Sequence, residues 1–354
     1  MKPVNQLPRS WIWGLLFPLV VLNSWLLLLV FEYFRSLITV FVTATVLSFL
    51  LDYPVHFLRR YGVKRQQAVV LVLCLFLLIL VVLAVTLAPI ILGQLNELVT
   101  RLPSWINSGA EQFETLHNWA KNRNLPIDLR GFAKQLSERF STQLQSIIGQ
   151  ILTVVLGAAG SLLDLMITVV LTFYLLLHGQ RLWDGLFQWF PPELGSQIRE
   201  SLRRNFQNYF IGQATLATFM GLSMTVAFLI LQVPFGLLFG LAVGIMTLIP
   251  LGAGLSISIV SLLMALNNFW LGMKVLAVAT VLDQVIENGI APRLLGGFTG
   301  LNPVWIFISL LIATKVGGLI GLLVAVPIAG FIKSTVENLR TSPTSLESTI
   351  EELE

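Results

Sequence analysis

The sequence predicts an all-α, polytopic membrane protein with about six spanning helices, two re-entrant helical hairpins and an external amphipathic helical arm. Its 354 residues are 56% hydrophobic and only 11% charged, whereas a water-soluble domain carries about 25% charged residues. Residues 205–273 contain no Asp, Glu, Lys, Arg or His, which suits two or more membrane passages because each takes about 20 apolar residues. Proline and glycine interrupt two of the apolar segments, so we do not expect those two to be plain spanning helices.

Eight hydrophobic segments follow one another, at residues 11–31, 36–55, 66–88, 151–177, 207–231, 235–267, 269–289 and 303–333. The Lys and Arg residues lie at the ends of these segments and form no patch, so the net charge of +4 does not predict nucleic-acid binding. The short loops 56–65 and 178–204 are rich in Lys and Arg, which is typical of cytoplasmic loops. We therefore expect cytoplasmic N- and C-termini and a protein embedded in a lipid bilayer.

Segment order and loop charge divide the chain into five regions. These are membrane helices 1–3 (1–88), an extracytoplasmic arm (89–150), membrane helix 4 with a cytoplasmic linker (151–204), a transport core (205–333) and an acidic cytoplasmic tail (334–354). In the arm, apolar residues recur at spacings of three and four, which predicts amphipathic helices. The arm either folds back on itself as a hairpin or contacts neighbouring subunits.

Two of the apolar segments are too long for one helix and carry a break near the middle. Segments 235–267 and 303–333 have 33 and 31 residues, which is about 46–50 Å of helix against a hydrocarbon core of about 30 Å. Cut at the breaks, each piece is too short to cross, so a re-entrant hairpin fits both segments. The breaking residues are Pro250, Gly252 and Gly254 in the first segment and Pro303, Gly317, Gly318 and Gly321 in the second.

Loop charge predicts that the two hairpins enter the membrane from opposite sides. Each follows a spanning segment, so the C-terminal half reads as an inverted repeat of helix plus hairpin. Many secondary transporters build a midplane binding site from such repeats with interrupted helices. The alternative is that the breaks are kinks in tilted spanning helices.

A polar group within the seventh segment is the leading candidate for a binding site. Asp283 and Glu287 are four residues apart, which places them on one helical face, and Gln284 and Asn288 widen that face. An ionisable side chain inside a membrane segment is costly and indicates function by default. We expect Asp283 to bind an ion, a proton or substrate, whereas Glu287 could instead pair with Arg293 near the boundary.

Three further polar residues complete the candidate set. Asn302 precedes the second hairpin, and Lys315 lies at its expected tip, where it could counter a carboxylate or serve as a structural partner. Asp164 lies within the fourth segment and is either a second ion site or a packing contact.

Enzyme signatures are missing from the sequence. It has no G-x-x-x-x-G-K-[ST] phosphate loop and no H-E-x-x-H zinc motif. The three histidines, His56, His117 and His178, lie at loops or segment boundaries. We therefore expect no catalysis, no metal site and no cofactor beyond coupling to Na⁺ or H⁺.

Several short motifs in the C-terminal half carry a family resemblance. They are Tyr209-Phe210-Ile211-Gly212-Gln213, Ile249-Pro250-x-Gly252, Gln284-x-x-Glu287-Asn288, Pro292-Arg293-Leu294-Leu295-Gly296, Gly300-Leu301-Asn302-Pro303 and Gly321-Leu322-Leu323-Val324-Ala325-Val326-Pro327. With them, residues 205–333 resemble the AI-2E transporter family, also called the PerM family. The family often has Ile-Pro-x-x-Gly-Pro in the first hairpin, and this chain lacks the second proline, with Gly254 in its place.

The resemblance implies a bacterial inner-membrane protein that forms a homo-oligomer such as a pentamer. Family members are associated with export of the quorum-sensing signal autoinducer-2, and others with sodium/proton antiport. The leading hypothesis is a secondary transporter of a small polar solute or monovalent cation that works by alternating access. The alternatives are a passive channel, or a membrane scaffold or receptor that acts through residues 89–150.

Overall fold

The computed structural model describes residues 9–122, 146, 149, 162–188, 192–295 and 302–341. Every regular element in these ranges is a helix, which confirms the predicted all-α class. In chain order the elements are α1 (Arg9–Tyr33), α2 (Arg35–Arg60), α3 (Arg65–Asn122), α4 (Leu162–Phe187), α5 (Pro192–Ile230), α6 (Gly236–Thr247), α7 (Gly252–Asn267), α8 (Phe269–Val285), a π-helical turn (Ile286–Ile290), α9 (Ala291–Leu295) and α10 (Pro303–Thr341).

Six of the described helices are long and apolar enough to cross a membrane. They are α2, α3, α4, α5, α10 and the stretch Phe269–Arg293, in which α8 continues through the π-helical turn into α9. With its 25 residues, α1 also has the length of a spanning helix. Their apolar side chains are largely exposed on the isolated chain, as a lipid-facing surface requires. The prediction of a polytopic integral membrane protein is confirmed.

The third helix is much longer than a single membrane passage. At 58 residues, α3 is about 87 Å long, so it projects well beyond a hydrocarbon core of about 30 Å. It does not break at residue 88, where we expected the membrane part to end, and it continues through Pro89 and Pro103. The first part of the arm is therefore an extension of α3, while its second part, at 123–145, lies outside the described residues.

The apolar face of the α3 extension is buried within the chain. Leu95, Leu98, Leu102 and Trp105 join one core with residues of α5, α6, α7 and α8. Polar contacts reinforce this packing at both ends. Gln94 Oε1 accepts a hydrogen bond from the Leu238 amide at 3.0 Å, and Gln112 Nε2 donates to the Leu266 carbonyl at 3.0 Å. The first part of the arm therefore contacts its own chain, where it packs against α6 and α7.

The backbone leaves α-helical geometry at both predicted breaks. In the first, α6 ends at Thr247 and α7 begins at Gly252, with Leu251 between them at a φ of 68°. In the second, the backbone of α10 leaves helical geometry at Gly318, where φ is 59° and ψ is −137°. A methyl group on Gly321 would lie 2.0 Å from the Ala313 carbonyl oxygen, although eight residues of continuous helix would separate these positions by about 12 Å. Each break therefore interrupts its segment where the sequence predicted, and the two re-entrant hairpins stay a prediction.

Glycines bring α5 and α6 into backbone contact. A methyl group on Gly240 would lie 2.5 Å from the Thr225 Cα atom, and one on Gly244 would lie 2.6 Å from the Gly221 Cα atom. Small residues spaced four apart allow this close approach between membrane helices. The spanning helix α5 and the short helix α6 are thus tightly packed.

Candidate functional site

Asp283 lies near the end of α8 and is the one acidic residue in the described buried core. It is only 9% exposed, and its Oδ1 atom has no hydrogen-bond partner among the residues that the structure describes. Burying a carboxylate without a partner, where water is excluded, costs about 2 kcal/mol or more. An ionisable side chain retained at such a position in a membrane helix therefore indicates a function. This residue is therefore the strongest candidate for an ion or proton site.

A π-helical turn follows Asp283 directly and was not predicted. The turn covers Ile286–Ile290, after which α9 resumes as an ordinary helix. It packs against α5 together with α9. Single π-helical turns inside helices occur frequently at functional sites because the extra residue redirects the neighbouring side chains. The only local hint is Glu287-Asn288-Gly289, a polar stretch in an apolar run.

The predicted polar face is divided between two environments. Asp283 points into the core, whereas Gln284, Glu287 and Asn288 are exposed on the isolated chain. Asn288 Nδ2 donates a hydrogen bond to Gln284 Oε1 at 2.8 Å, so these two amides hold each other. Within the described residues, Glu287 makes no ion pair with Arg293. The four residues thus share one stretch of helix but not one exposed surface.

Asn302 directly precedes α10, and Lys315 lies within it. Asn302 Oδ1 accepts a hydrogen bond from the Val304 amide at 3.0 Å, which is the geometry of a helix N-cap. Lys315 is exposed and lies three residues before Gly318, where α10 leaves helical geometry. It forms no ion pair with any residue in the described ranges. α10 packs mainly against α2 and α5.

Asp164 lies in the first turn of α4 and is half-buried. Its position near a helix N-terminus is favourable for a carboxylate because of the helix dipole. α4 packs against α2, α3 and α5, whereas α8 packs mainly against α5 and α7. The structure therefore does not bring Asp164 together with Asp283.

The breaking residues differ in how strongly the fold needs them. A methyl group on Gly252 would lie 2.1 Å from the Met246 carbonyl oxygen, and Gly321 is confined in the same way by Ala313. Gly318 needs its positive φ. Gly254 and Gly317 have open space where a methyl group would be added. Pro250 lies between α6 and α7, and Pro303 is the first residue of α10.

One polar contact at the first hairpin was missed by the sequence reasoning. Gln213 Nε2 on α5 donates a hydrogen bond to the carbonyl of Thr247, the last residue of α6. Both side chains are buried. The signal was available, since Gln213 is an amide within the charge-free stretch 205–273 and belongs to a quoted motif.

A polytopic helical protein with broken helices and a buried carboxylate in a membrane-crossing helix has the layout of a membrane transporter. The chain belongs to the AI-2E transporter family, because the model of that family, described as "AI-2E family transporter", matches residues 15–341.

Named relatives agree with this assignment. The chain is 43% identical to "Putative transport protein sll0060" of Synechocystis, over 93% of this chain and 96% of the relative. It is 24% identical to "Putative permease PerM" of Escherichia coli, over 86% of this chain and 88% of the relative. It is also 24% identical to "AI-2 transport protein TqsA" of Escherichia coli, over 85% and 86% of the two chains.

Proposed function

We propose that this protein is a secondary transporter of the bacterial inner membrane and that Asp283 binds the coupling ion, a proton or Na⁺. The observation that carries the proposal is the buried Oδ1 atom of Asp283, which has no partner among the described residues. A proton or a cation on this carboxylate offsets the cost of its burial. Alternating loss and gain of that ion gives the protein two states of different energy.

The two helical hairpins are proposed as the gates on either side of this site. α5 links them to Asp283, because it packs against α6, against the π-helical turn and against α10. In the proposed orientation both termini are cytoplasmic, the α6–α7 hairpin enters from outside and α10 enters from the cytoplasm. Broken helices at the membrane midplane serve this role in many transporters.

For the substrate we propose a small polar solute or a monovalent cation. The printed name of the relative TqsA assigns AI-2 to that relative, which makes autoinducer-2 the first solute to test. The name of the 43% identical Synechocystis relative specifies no substrate. Na⁺ and H⁺ are the cations to test, since a single carboxylate suits either. The resemblance also supports a homo-oligomer such as a pentamer.

The test is a flux screen of Na⁺, H⁺ and autoinducer-2 in proteoliposomes, with an ion gradient imposed. We expect gradient-driven flux to fall at least tenfold in Asp283→Asn. The matched control is Glu111→Gln, which removes an exposed carboxylate from α3 and should leave the flux intact. A wild-type rate in Asp283→Asn removes this residue from the mechanism.

A passive channel is the second candidate, because paired half-helices also build ion pores. The two classes differ in how flux depends on the substrate concentration and on the presence of substrate on the opposite side of the membrane. A carrier saturates with substrate and accelerates exchange when unlabelled substrate is placed on the far side. Flux that rises linearly and shows no such exchange favours the channel.

A further inference from the structure

A second polar region lies far along the chain from Asp283, where the ends of four helices meet. α2, α3, α4 and α5 line a cavity of about 180 Å³. Its wall contains Asp52, Arg65, Trp183, Arg199 and Arg203. None of the residues assigned to the transport site lines it.

Positive charge exceeds negative charge along this wall. Three arginines line the cavity, and Asp52 is the one acidic residue there. Asp52 is shared, since its Oδ1 lies 3.2 Å from His56 Nδ1 and its Oδ2 lies 3.9 Å from Arg203 Nη2. Arg199 pairs with Asp184, which does not itself line the cavity. The wall therefore retains a net positive charge.

Arg65 carries the part of this charge that no acid neutralises within the described residues. Its Nη2 atom donates to the Leu176 carbonyl at 3.0 Å, and its Nη1 atom donates to Gln180 Oε1 at 3.4 Å. Both acceptors are neutral, so they orient the guanidinium without cancelling its charge. A guanidinium has five N–H donors, and those left over suit the oxygens of a phosphate.

The lining of the cavity also has an apolar part. Phe41 lines it and lies eleven residues before Asp52 on α2, which is about 16 Å along the helix. In the proposed orientation the arginines lie at the cytoplasmic headgroup level and Phe41 lies among the lipid tails. Trp183 lies at the charged end, as interfacial tryptophans do. The cavity thus has a cationic end and an apolar end, like the two parts of a phospholipid.

We propose that this cavity binds the phosphate of an anionic phospholipid, with Arg65 as the principal contact and Arg203 beside it. Basic pockets between membrane helices on the cytoplasmic side recognise anionic headgroups in this way. The lipid would join α2, α3, α4 and α5 at one point. The site is separate from the proposed transport site and does not depend on it.

The test uses the purified full-length protein in a neutral detergent and measures lipid binding by native mass spectrometry. Phosphatidylglycerol, phosphatidylcholine and inorganic phosphate are added separately to the wild type, to Arg65→Gln and to Arg60→Gln. Arg60 is the matched control, because it is an exposed cation in the last turn of α2 that does not line the cavity. We expect phosphatidylglycerol to bind in preference to phosphatidylcholine. Its affinity should fall about tenfold in Arg65→Gln and stay within twofold in Arg60→Gln.

Arg203→Gln is a second variant that keeps the Arg65 contacts with α4, so it tests the site if Arg65→Gln fails to fold. It should weaken phosphatidylglycerol binding severalfold. Equal losses in Arg60→Gln and the cavity variants would overturn the proposal, since they would show only general surface charge. Equal binding of the two lipids would overturn it as well. Binding of inorganic phosphate with the same dependence on Arg65, without binding of phosphatidylglycerol, would replace the lipid by a free phosphate.

Discussion

The side chain of Gln213 on α5 donates a hydrogen bond to the backbone carbonyl of Thr247, where α6 ends. The last carbonyls of a helix have no partner within that helix, and here the amide of a neighbouring spanning helix supplies one. Both residues are buried. The tip of the first hairpin is therefore fastened to α5 by one polar contact in an apolar environment.

Replacing Gln213 should loosen that tip. Gln213→Ala leaves the Thr247 carbonyl buried without its donor, which costs about 1–3 kcal/mol. We expect a lower unfolding temperature in detergent and slower transport in proteoliposomes. Asn208→Ala, which changes an exposed amide on the same helix, should leave both unchanged. Equal effects of the two substitutions would contradict the assigned contact.

The turn of the second hairpin should depend on one of two adjacent glycines. Gly318 has a φ of 59° and lies against the Arg35 side chain, whereas Gly317 has negative φ and open space around it. Gly318→Ala should destabilise the protein by about 1–3 kcal/mol, because an alanine is strained at that backbone geometry. Gly317→Ala should be neutral or slightly stabilising. Thermal unfolding of the two variants side by side measures the difference in stability. A Gly317→Ala variant less stable than Gly318→Ala would refute the assigned turn.

The backbone contact between α5 and α6 should tolerate no side chain at Gly240. In Gly240→Ala the new methyl group meets the Thr225 backbone, which cannot move aside as a flexible side chain can. The helices must separate, at a cost of about 1–3 kcal/mol for overpacking. Gly254→Ala on α7 is the control, since its position is open. Cysteine cross-linking between α5 and α6, together with thermal unfolding, reports the separation, and intact cross-linking in Gly240→Ala would argue against it.

Much of this architecture follows from length and charge alone. Two entirely apolar segments of 33 and 31 residues are longer than a hydrocarbon core of about 30 Å accommodates, so breaks at Pro250 and at Gly317–Gly318 could be predicted by counting apolar residues. The same counting placed Asp283 deep within a spanning segment. These features depend on the chain and the membrane, and not on which helices touch.

The features that were missed depend on contacts between helices. The π-helical turn at Ile286–Ile290 shifts the register by one residue where α9 packs on α5, and no local propensity specifies that shift. The Gln213–Thr247 contact joins residues 34 apart in sequence. α3 continues through Pro89 because a proline removes only one helical hydrogen bond, which neighbouring packing can offset.

Asn302 should behave as a helix cap and not as a substrate ligand. Asn302→Ala removes the acceptor for the Val304 amide and should cost about 1 kcal/mol. Asn302→Ser keeps a capping oxygen but lacks the amide, so it should recover most of the stability. If the residue only caps α10, the KM for transport is the same in Asn302→Ser as in the wild type. A raised KM in a stable Asn302→Ser variant would place this amide at the substrate instead.

Asp283→Asn should make the protein more stable while it stops transport. The substitution removes a buried carboxylate that has no partner among the described residues, so we expect a higher unfolding temperature in the absence of Na⁺. Na⁺ at ten times its dissociation constant should stabilise the wild type by about 1.4 kcal/mol, because it binds the folded state. That response should vanish in Asp283→Asn and persist in Glu111→Gln. If Na⁺ has no effect on the wild type but acidification stabilises it, the coupling ion is a proton, and a response unchanged in Asp283→Asn would place the ion at another residue.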